Sequence, residues 1–513
     1  MAFLILVFNI IIFLVVLTLI ISLHELGHYL LAKRAGILIH EYAIGMGPVL
    51  FKKEKNDIKY SLRAIPLGGF VSMSGEDGDN ALIVKGSHVY LKLNEIGLVK
   101  EIILTKGNYK YNIKGEVVDF DLYGKDLSPL YIEVKTDEGI NKYQVARDAK
   151  YLYGKNKDML ITPHESSFAA KSLWDRFLVL IFGPLMNFFL ALFVLFIVAL
   201  IQGKPLSNNI VDSSSNEALL KGDVITEIEN VNVSNLNEIK EALKDVENNV
   251  VSVKVIRNGQ SIDVPVYAIL IFQNLGIVND TSESNRDKVI IGGLGGKAKE
   301  AGLKLGDEII AVDDNLVSSW SDFFNETKEY SNKSIKLSVL RNGEPKSFTY
   351  DVLSNEVLEA IGEDKFVVKL GFNLGYEFDF LYLITYPFTQ FWASITEMIG
   401  TLKLLFSPSS GIGVGDLAGP VGIFSLVSNA LRGGFINLLV FIAFLSVNIG
   451  LLNLLPIPAL DGGRIVFLGY EAITRKKIPA KVEMWVNNIF FLLLLLLFIF
   501  VTYNDIFRLF FIK

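Results

Sequence analysis

The stretch SLHELGHYL, residues 22–30, lies at the end of an uncharged and mostly apolar run, residues 1–23. A run of this kind is long enough for a helix that crosses a bilayer, which needs about 20 apolar residues. On a helix, His24 and His28 lie one turn apart on the same face, with Glu25 beside them. The stretch therefore predicts a metal-binding group of side chains on a membrane-spanning helix.

The spacing of these three residues is the H-E-x-x-H arrangement of zinc peptidases. In that arrangement two imidazoles hold Zn²⁺, and the carboxylate, here Glu25, acts as the general base. Zinc with three protein ligands keeps a position open for water, and it lowers the pKa of that water from ~15.7 to ~7. The alternative, two histidines bonded to helix carbonyls, explains the pattern less well, because ionisable groups inside a span are costly and usually functional.

A third metal ligand is expected from LPIPALDGGR, residues 455–464, which follows another apolar run. Asp461 is the carboxylate of this stretch. Pro456 and Pro458 end the helix, and Gly462 and Gly463 allow a tight turn. Non-helical backbone at membrane depth is tolerated only where protein or water surrounds it. The alternative is that Asp461 merely caps the end of a helix.

The composition indicates a membrane protein with sizeable soluble parts. The chain has 513 residues, of which 51% are hydrophobic and 20% charged, so several domains are expected. A net charge of −6 argues against nucleic-acid binding. The chain has no cysteine and only five histidines, so any metal must be held by His, Asp or Glu.

Four apolar runs predict transmembrane helices, at 3–23, 177–201, 434–455 and 484–503. Lysine and arginine are concentrated in the short flanks that follow the first and third runs and precede the second. The positive-inside rule then places residues 33–172 and 456–482 in the cytoplasm, with both termini and residues 202–433 outside. This topology brings His24 and Asp461 to the same, cytoplasmic side of the membrane.

The outer region contains a repeat. KGDVITEIENVNVSN (221–235) aligns with LGDEIIAVDDNLVSS (305–319), and VIRNG (255–259) aligns with VLRNG (339–343), both with an offset of 84 residues. The units resemble PDZ domains, which bind extended peptides by strand addition. The alternative is a pair of small β domains that act only as spacers.

A further block, residues 81–165, alternates apolar and polar residues and predicts a β-rich cytoplasmic domain without a catalytic motif.

Taken in chain order, the motifs resemble those of the bacterial site-2 proteases, which are intramembrane zinc metalloproteases. The resemblance is carried by HELGH, RAGILIHEYAIGMGP, IPLGGFVSMSGED (65–77), GPLMNF (183–188), GPVGI (419–423) and NLLPIPALDGGR (453–464). It implies that His24, His28 and Asp461 are the zinc ligands and that Glu25 is the base.

The resemblance also implies that Asn453 holds the substrate backbone or stabilises the oxyanion. The alternative is that Asn453 forms an interhelical hydrogen bond. Residues 41–74 would form a β-hairpin that pairs with the unfolded substrate. Asn187 and Asn448 are interpreted as packing contacts between helices.

The expected fold is a polytopic α-helical membrane protein with four transmembrane helices, two PDZ-like α+β domains and a β-rich cytoplasmic insertion. The expected domains are transmembrane helix 1 with the motif (1–32), the membrane-associated hairpin region (33–80), the insertion (81–170), helix 2 (171–201), the PDZ-like domains (205–270 and 285–376), interfacial helices and a loop (377–433), helix 3 with the LDGG loop (434–483), and helix 4 with the tail (484–513).

The expected function is zinc-dependent cleavage of transmembrane segments, as in regulated intramembrane proteolysis of anti-sigma factors or removal of remnant signal peptides. The partners would be transmembrane substrates and the bilayer of the cell membrane, with no nucleic acid, and the PDZ-like domains would contact substrate ectodomains. Two alternatives remain open at this point. A metal transporter would need neither Glu25 as a base nor two PDZ-like units, and a PDZ scaffold with an inactive metal site would not need an intact Glu25.

Overall fold

A computed structural model of the chain describes residues 2–75, 81–105, 109–154, 157–330, 333–407 and 412–511. The last two residues of the motif at 65–77 lie outside these ranges. Within the described residues the chain forms eleven α-helices: α1 (Ala2–Arg34), α2 (Leu173–Gln202), α3 (Leu236–Lys244), α4 (Gly296–Glu300), α5 (Trp320–Lys328), α6 (Asn355–Ile361), α7 (Phe380–Leu405), α8 (Pro420–Arg432), α9 (Phe435–Asn453), α10 (Asp461–Thr474) and α11 (Ala480–Phe511).

Four of these helices are long and apolar enough to cross a membrane: Phe3–Arg34, Leu173–Gln202, Phe435–Asn453 and Lys481–Arg508. Each predicted apolar run falls on one of them. Helix α1 is longer than its apolar run, because it continues through the HELGH motif to Arg34. The two histidines and the glutamate therefore lie inside a continuous helix, about two turns before its end.

The chain divides into two compact units, which are described separately. The first contains residues 1–193, 430–432 and 441–496, and the second contains residues 194–429, 433–440 and 497–513. The motif residues His24, Glu25, His28, Asn453 and Asp461 all belong to the first unit.

Strands β1 (Ile39–Lys55) and β2 (Ile58–Met73) form the region that was predicted as a simple hairpin. Residues 41–44 pair with residues 69–72 and also align with residues 59–62, while residues 49–55 pair with residues 58–63. The two strands therefore bend back on themselves into a small sheet, called here the 39–73 sheet. Its two outer segments are residues 49–55 and 65–73. The bend in β1 occurs at Gly45 and Gly47, whose φ angles of 85° and 80° favour glycine.

The 39–73 sheet exposes apolar side chains, including Val49, Leu50 and Phe51, next to the charged turn KKEKND, residues 52–57. An exposed apolar group of this kind is typical of a surface that contacts a partner or a membrane. The sheet thus fits the predicted membrane-associated region.

The insertion is a β-barrel built from β3 (His88–Leu93), β4 (Val99–Ile103), β5 (Ile113–Asp121), β6 (Tyr131–Thr136), β7 (Gly139–Tyr153) and β8 (Lys157–Leu160). The strand order is β4-β3-β5-β6-β7-β8, and an additional parallel pairing of β4 with β7 closes the first five strands. Its core consists of buried aliphatic residues such as Val89, Leu91 and Ile132. Closure leaves no open edge among the five strands.

The second unit contains the remaining described strands: β9 (Lys204–Pro205), β10 (Ser213–Ser214), β11 (Val224–Ile228), β12 (Val231–Asn232), β13 (Val250–Arg257), β14 (Gln260–Tyr267), β15 (Ile269–Phe272), β16 (Ile277–Asn279), β17 (Ile291–Leu294), β18 (Glu308–Val312), β19 (Asn315–Leu316), β20 (Ser334–Arg341), β21 (Glu344–Asp351), β22 (Phe366–Lys369), β23 (Phe372–Asn373) and β24 (Tyr376–Glu377).

The repeat found in the sequence is also a repeat in structure. The sheets β12-β11-β13-β14 and β19-β18-β20-β21 have the same strand order. In the first, Arg257 pairs with the buried Asp223 at 2.6 Å, and in the second Arg341 pairs with the buried Asp307 at 2.6 Å. The two ion pairs are related by the offset of 84 residues. The turns Gly222–Asp223 and Gly306–Asp307 are therefore held by the same ion pair in each repeat.

The two repeats do not follow one another along the chain as separate domains, however. Strand β10 pairs with β23, and β9 pairs with β24, so the segment 372–377 completes the first repeat although it follows the second in sequence. Strand β15, at the end of the range 205–270, instead pairs with β22 in a third sheet. The strand pairing thus differs from the predicted boundaries 205–270 and 285–376: the second repeat is inserted within the first.

Candidate active site

The crossing of α1 and α2 depends on two glycines. A Cβ atom at Gly27 would lie 2.3 Å from the carbonyl oxygen of Phe182, and a Cβ atom at Gly183 would lie 2.3 Å from Nε2 of His28. Real Cβ atoms do not come so close to other atoms, so both positions require glycine. The glycine of HELGH and the glycine of GPLMNF therefore allow α2 to approach the histidine face of α1.

Three side chains converge at this crossing. Nε2 of His24 lies 3.2 Å from Nε2 of His28, and Oδ2 of Asp461 lies 3.2 Å from the first and 3.4 Å from the second. Both histidines are buried. Among the described residues, these three form the group of histidine and carboxylate side chains whose geometry suits a metal ion.

The spacing of the three atoms matches a tetrahedral site. Ligand atoms about 2.0–2.1 Å from zinc at tetrahedral angles lie about 3.3–3.4 Å from one another. In addition, Oδ2 of Asp461 is buried and accepts no hydrogen bond, which is costly for a carboxylate oxygen that faces no cation. The donor set of two imidazoles and one carboxylate is also one that zinc accepts.

The outer nitrogens of both imidazoles contact α2. Nδ1 of His28 lies 2.8 Å from the carbonyl oxygen of Val179 and donates its proton there, which leaves Nε2 free to bind a metal. Nδ1 of His24 lies 3.3 Å from the amide of Asn187, which is fully buried. The atom of Asn187 at this distance is Nδ2, and its Oδ1 is buried without a hydrogen-bond partner. A metal on Nε2 of His24 would put the ring proton on Nδ1, and the amide would then turn its oxygen to accept that proton. Asn187 therefore contacts the site directly, and its interpretation as a packing contact was incomplete.

Asp461 is held at the first turn of α10. A Cβ atom at Gly462 would lie 2.2 Å from the carbonyl oxygen of Leu455, so the tight turn after the prolines requires glycine there. A carboxylate in the first turn of a helix is favoured by the helix dipole. Ala459, two residues before Asp461, has a φ of 76°. Its N–H donates a hydrogen bond to Oδ1 of Asn487 at 3.2 Å. Asn487 on α11 thus fixes the loop that carries Asp461, which the sequence motifs did not indicate.

The three side chains open onto a cavity of about 610 Å³ in the first unit. Glu25 lines this cavity, together with Asn453 at the end of α9 and Arg464 on α10. One wall is the outer segment 65–73 of the 39–73 sheet, through Gly69, Phe70, Val71 and Met73. A carboxylate, a polar amide and the outer strand segment of the sheet therefore face the same space.

Asn453 faces the cavity, and its Nδ2 donates to the carbonyl oxygen of Ile449 at 3.1 Å, one turn earlier in α9. This bond lies within one helix, unlike the interhelical hydrogen bond that the sequence left as an alternative.

The remaining three histidines lie outside the candidate metal site. His40 shares a hydrogen bond with Ser74 at 2.6 Å, His88 is exposed, and the ring of His164 packs edge-on against Tyr123.

Comparison with known proteins places this chain in a family. The family model described as Peptidase family M50 matches residues 12–497. The chain is a member of peptidase family M50. Within this M50 chain the match includes HELGH, the LDGG loop and all the residues that line the cavity.

Curated relatives match the M50 chain over nearly its whole length. The zinc metalloprotease RasP of Oceanobacillus iheyensis is 30% identical, over 96% of this chain and 96% of its own. The regulator of sigma-W protease RasP of Bacillus subtilis is 31% identical, over 98% and 99%. The putative zinc metalloprotease SA1105 of Staphylococcus aureus is also 31% identical, over 98% and 99%. The barrel insertion and the inserted repeat thus lie within the shared length.

Proposed function

We propose that this M50 peptidase is a zinc-dependent intramembrane endopeptidase of the site-2 type, in which His24, His28 and Asp461 hold the metal and Glu25 is the general base. The observation that carries the proposal is the convergence of the three ligand atoms, 3.2–3.4 Å apart, beside Glu25 in one cavity on a membrane-spanning helix. When bound, zinc supplies a Lewis acid that activates water and polarises a carbonyl group.

The chain's own residues supply the proton transfers and the positioning. Glu25 accepts a proton from the attacking water and returns it to the leaving amide nitrogen. Asn453 would turn from the Ile449 carbonyl to hold the substrate backbone or the developing oxyanion. Val179 and Asn187 fix the two imidazole rings, as the partners of metal-ligating histidines generally do.

A transmembrane substrate must lose helical hydrogen bonds before one of its peptide bonds can be attacked. The outer segment 65–73 of the 39–73 sheet borders the cavity and pairs on only one side with residues 39–46. An extended substrate could therefore add as a further strand and recover the lost backbone hydrogen bonds. This pairing would place the scissile bond beside Glu25.

The substrate class follows from the membrane site. We infer that the substrates are transmembrane segments of membrane proteins, with anti-sigma factors and remnant signal peptides as the candidates. The name of the Bacillus subtilis relative, regulator of sigma-W protease, supports the first of these. A metal transporter would have no use for a carboxylate base beside the ligands, so the proteolytic function is preferred.

We also infer that the two repeats are PDZ-like domains that screen substrates. A groove of about 760 Å³ lies between α3 and the segment 366–374, and it is lined by Ile239 and Leu243 of the helix and Phe372 of the strand. A helix opposite a strand edge is the arrangement in which PDZ domains bind extended peptides. Exclusion of substrates with bulky ectodomains is the proposed role.

The sidedness proposed from the lysine and arginine distribution can be tested by labelling, since the native chain has no cysteine. Asn258 and Glu138 both lie at exposed turns, in the first repeat and in the barrel respectively. In intact cells, Asn258→Cys should react with a membrane-impermeant maleimide, and Glu138→Cys should react only after lysis. The opposite pattern would invert the proposed topology.

The strand pairing indicates how the repeats should be removed. Residues 204–205 pair with residues 376–377, so the two ends of the region lie side by side and a short glycine linker can replace residues 206–375. This deletion should leave cleavage of a substrate without an ectodomain within about threefold of wild type, because it spares every residue that lines the cavity. It should also permit cleavage of a substrate with an intact ectodomain, which the wild-type chain should reject.

Paired long and short substrates in reconstituted membranes measure both effects in one assay. The screening role would be disproved if the deletion variant kept its zinc but still rejected the long substrate. Loss of short-substrate cleavage in a variant that retains its zinc would instead give the repeats a part in the reaction itself.

A further inference from the structure

We propose that the barrel of strands β3–β8 is a support that positions the 39–73 sheet for substrate pairing, through a chain of four charges that alternate in sign. The proposal rests on the proposed role of this sheet, and it assigns a task to a domain in which the sequence contains no catalytic motif. The contacts that carry it lie at both ends of the sheet.

The first contact is at the charged turn. Asp57 lies in the turn between β1 and β2, and Lys59 lies near the start of β2. Lys150 and Asp158 lie on β7 and β8 of the barrel. Lys150 reaches Asp57 at 2.9 Å, and Lys59 reaches Asp158 at 2.7 Å. Lys150 also lies 3.8 Å from the other oxygen of Asp158. The order of charges is therefore Asp57, Lys150, Asp158, Lys59, with opposite signs at every step.

The Lys59–Asp158 end of this chain of charges is partly shielded from water, whereas Asp57 at the other end is exposed. The side chains of Lys59 and Asp158 are 19% and 28% exposed, and Lys59 also donates to the backbone carbonyl of Asp158. Burial by itself would raise the pKa of Asp158, but the hydrogen bond and the charge of Lys59 hold this pKa below its usual value. A networked, partly buried set of ion pairs contributes more than isolated pairs on the surface.

The second contact is at the opposite end of the sheet, where the chain enters β1 and leaves β2. Ser74 is fully buried, and its hydroxyl lies 2.7 Å from that of Thr162. The backbone continues the attachment, since Phe168 N–H donates to Ser74 at 2.7 Å and Leu38 N–H donates to Ser166 at 2.9 Å. The segment 162–168 that leaves the barrel therefore holds the base of the sheet.

The two contacts leave the substrate edge free. Residues 58–63 carry Lys59, residues 41–44 form the middle of the sheet, and residues 65–73 form the outer segment that borders the cavity. At the charged turn the barrel contacts one side of the sheet, and the cavity lies against the other side. The second contact, at Ser74, lies just beyond the end of the outer segment. Movement at Lys59 would be transmitted across two rows of backbone hydrogen bonds to the edge that pairs with substrate, so the four charged residues are positioning residues.

Charge reversal tests this role without changing the net charge. One variant combines Asp57→Lys with Lys59→Asp, a second combines Lys150→Asp with Asp158→Lys, and a third carries all four changes. Either double variant places like charges across the interface, so kcat/KM for a short transmembrane substrate should fall roughly tenfold, mainly through KM. The fourfold variant restores the alternation and should return to within about threefold of wild type.

Hydrogen exchange of residues 58–73 gives a second readout that does not depend on activity. Exchange should become faster in both double variants and recover in the fourfold variant, while the zinc content stays unchanged. The control swaps Lys92 and Glu101, a pair at 2.7 Å within the barrel, and should change neither readout.

The outcomes separate the possible failures. Unchanged exchange in the double variants, or a fourfold variant no better than either double, would overturn the attachment. Faster exchange with an unchanged KM would overturn the positioning role while leaving the attachment in place. If the wild-type chain itself cleaved no transmembrane substrate, the proposed function would fail, and the exchange data would still decide whether the barrel holds the sheet.

Discussion

Glu25→Gln should abolish cleavage of a transmembrane substrate while leaving the zinc content and the thermal stability of the purified protein unchanged. Loss of a general base costs about 10²–10⁴-fold in rate. The glutamine is nearly isosteric with glutamate, so it should disturb neither the cavity nor the three ligand side chains. Cleavage of a reconstituted substrate, followed over time by gel, measures the rate, and elemental analysis of the same sample measures the zinc.

Asn453→Ala is the informative comparison in that assay. Removal of one oxyanion donor costs about 10²–10³-fold in other hydrolases. A smaller rate loss than in Glu25→Gln, with zinc again retained, fits a residue that binds the substrate or the oxyanion. A Glu25→Gln variant that cleaved at close to the wild-type rate would refute the assignment of Glu25 as the base.

Gly183→Ala should have an effect of similar size for a different reason. The added methyl group would lie 2.3 Å from Nε2 of His28 and 2.5 Å from Cε1 of the same ring. The ring or the whole of α2 must therefore move, and a displacement of about 1 Å in an active site can cost about 10²-fold in rate. Zinc content should fall together with the activity, and overpacking should cost about 1–3 kcal/mol of stability.

Gly469→Ala provides the matched control. Gly469 lies in α10, and a Cβ atom there would meet no atom within 4 Å. An alanine in an open helical position is expected to be neutral or to stabilise by about 1 kcal/mol. Full zinc and activity in Gly183→Ala would contradict the close helix crossing on which the site depends.

The convergence of His24, His28 and Asp461 was predictable because its signals are local or follow from topology. The spacing of His24 and His28 needs only the period of a helix. Asp461 was singled out from the prolines and glycines around it, together with the side of the membrane on which its helix ends.

The repeat was predictable because its two copies have the same offset throughout. In the structure the pairs Arg257–Asp223 and Arg341–Asp307 have that same offset and hold the same turn in each repeat.

Other features have no local signal. Asn487 looks like an ordinary polar residue in an apolar helix, and only the fold brings it to the loop before Asp461. Asn187 lies within the GPLMNF motif, but its contact with His24 also appears only in the fold. The insertion of one repeat within the other depends on the pairing of residues 372–377 with residues 204–214, across more than 150 residues of sequence. Residues 41–74 were expected to form a β-hairpin, since the bends at Gly45 and Gly47 do not interrupt the apolar pattern of the sequence.

The zinc content of purified variants tests the central claim most directly. Elemental analysis of the wild-type chain, Glu25→Gln and Asp461→Ala should give about one zinc per chain for the first two and far less for the third. This result follows because Asp461 supplies one of three ligand atoms, whereas Glu25 supplies none. An Asp461→Ala variant that kept a full zinc equivalent would remove Asp461 from the site and contradict the account.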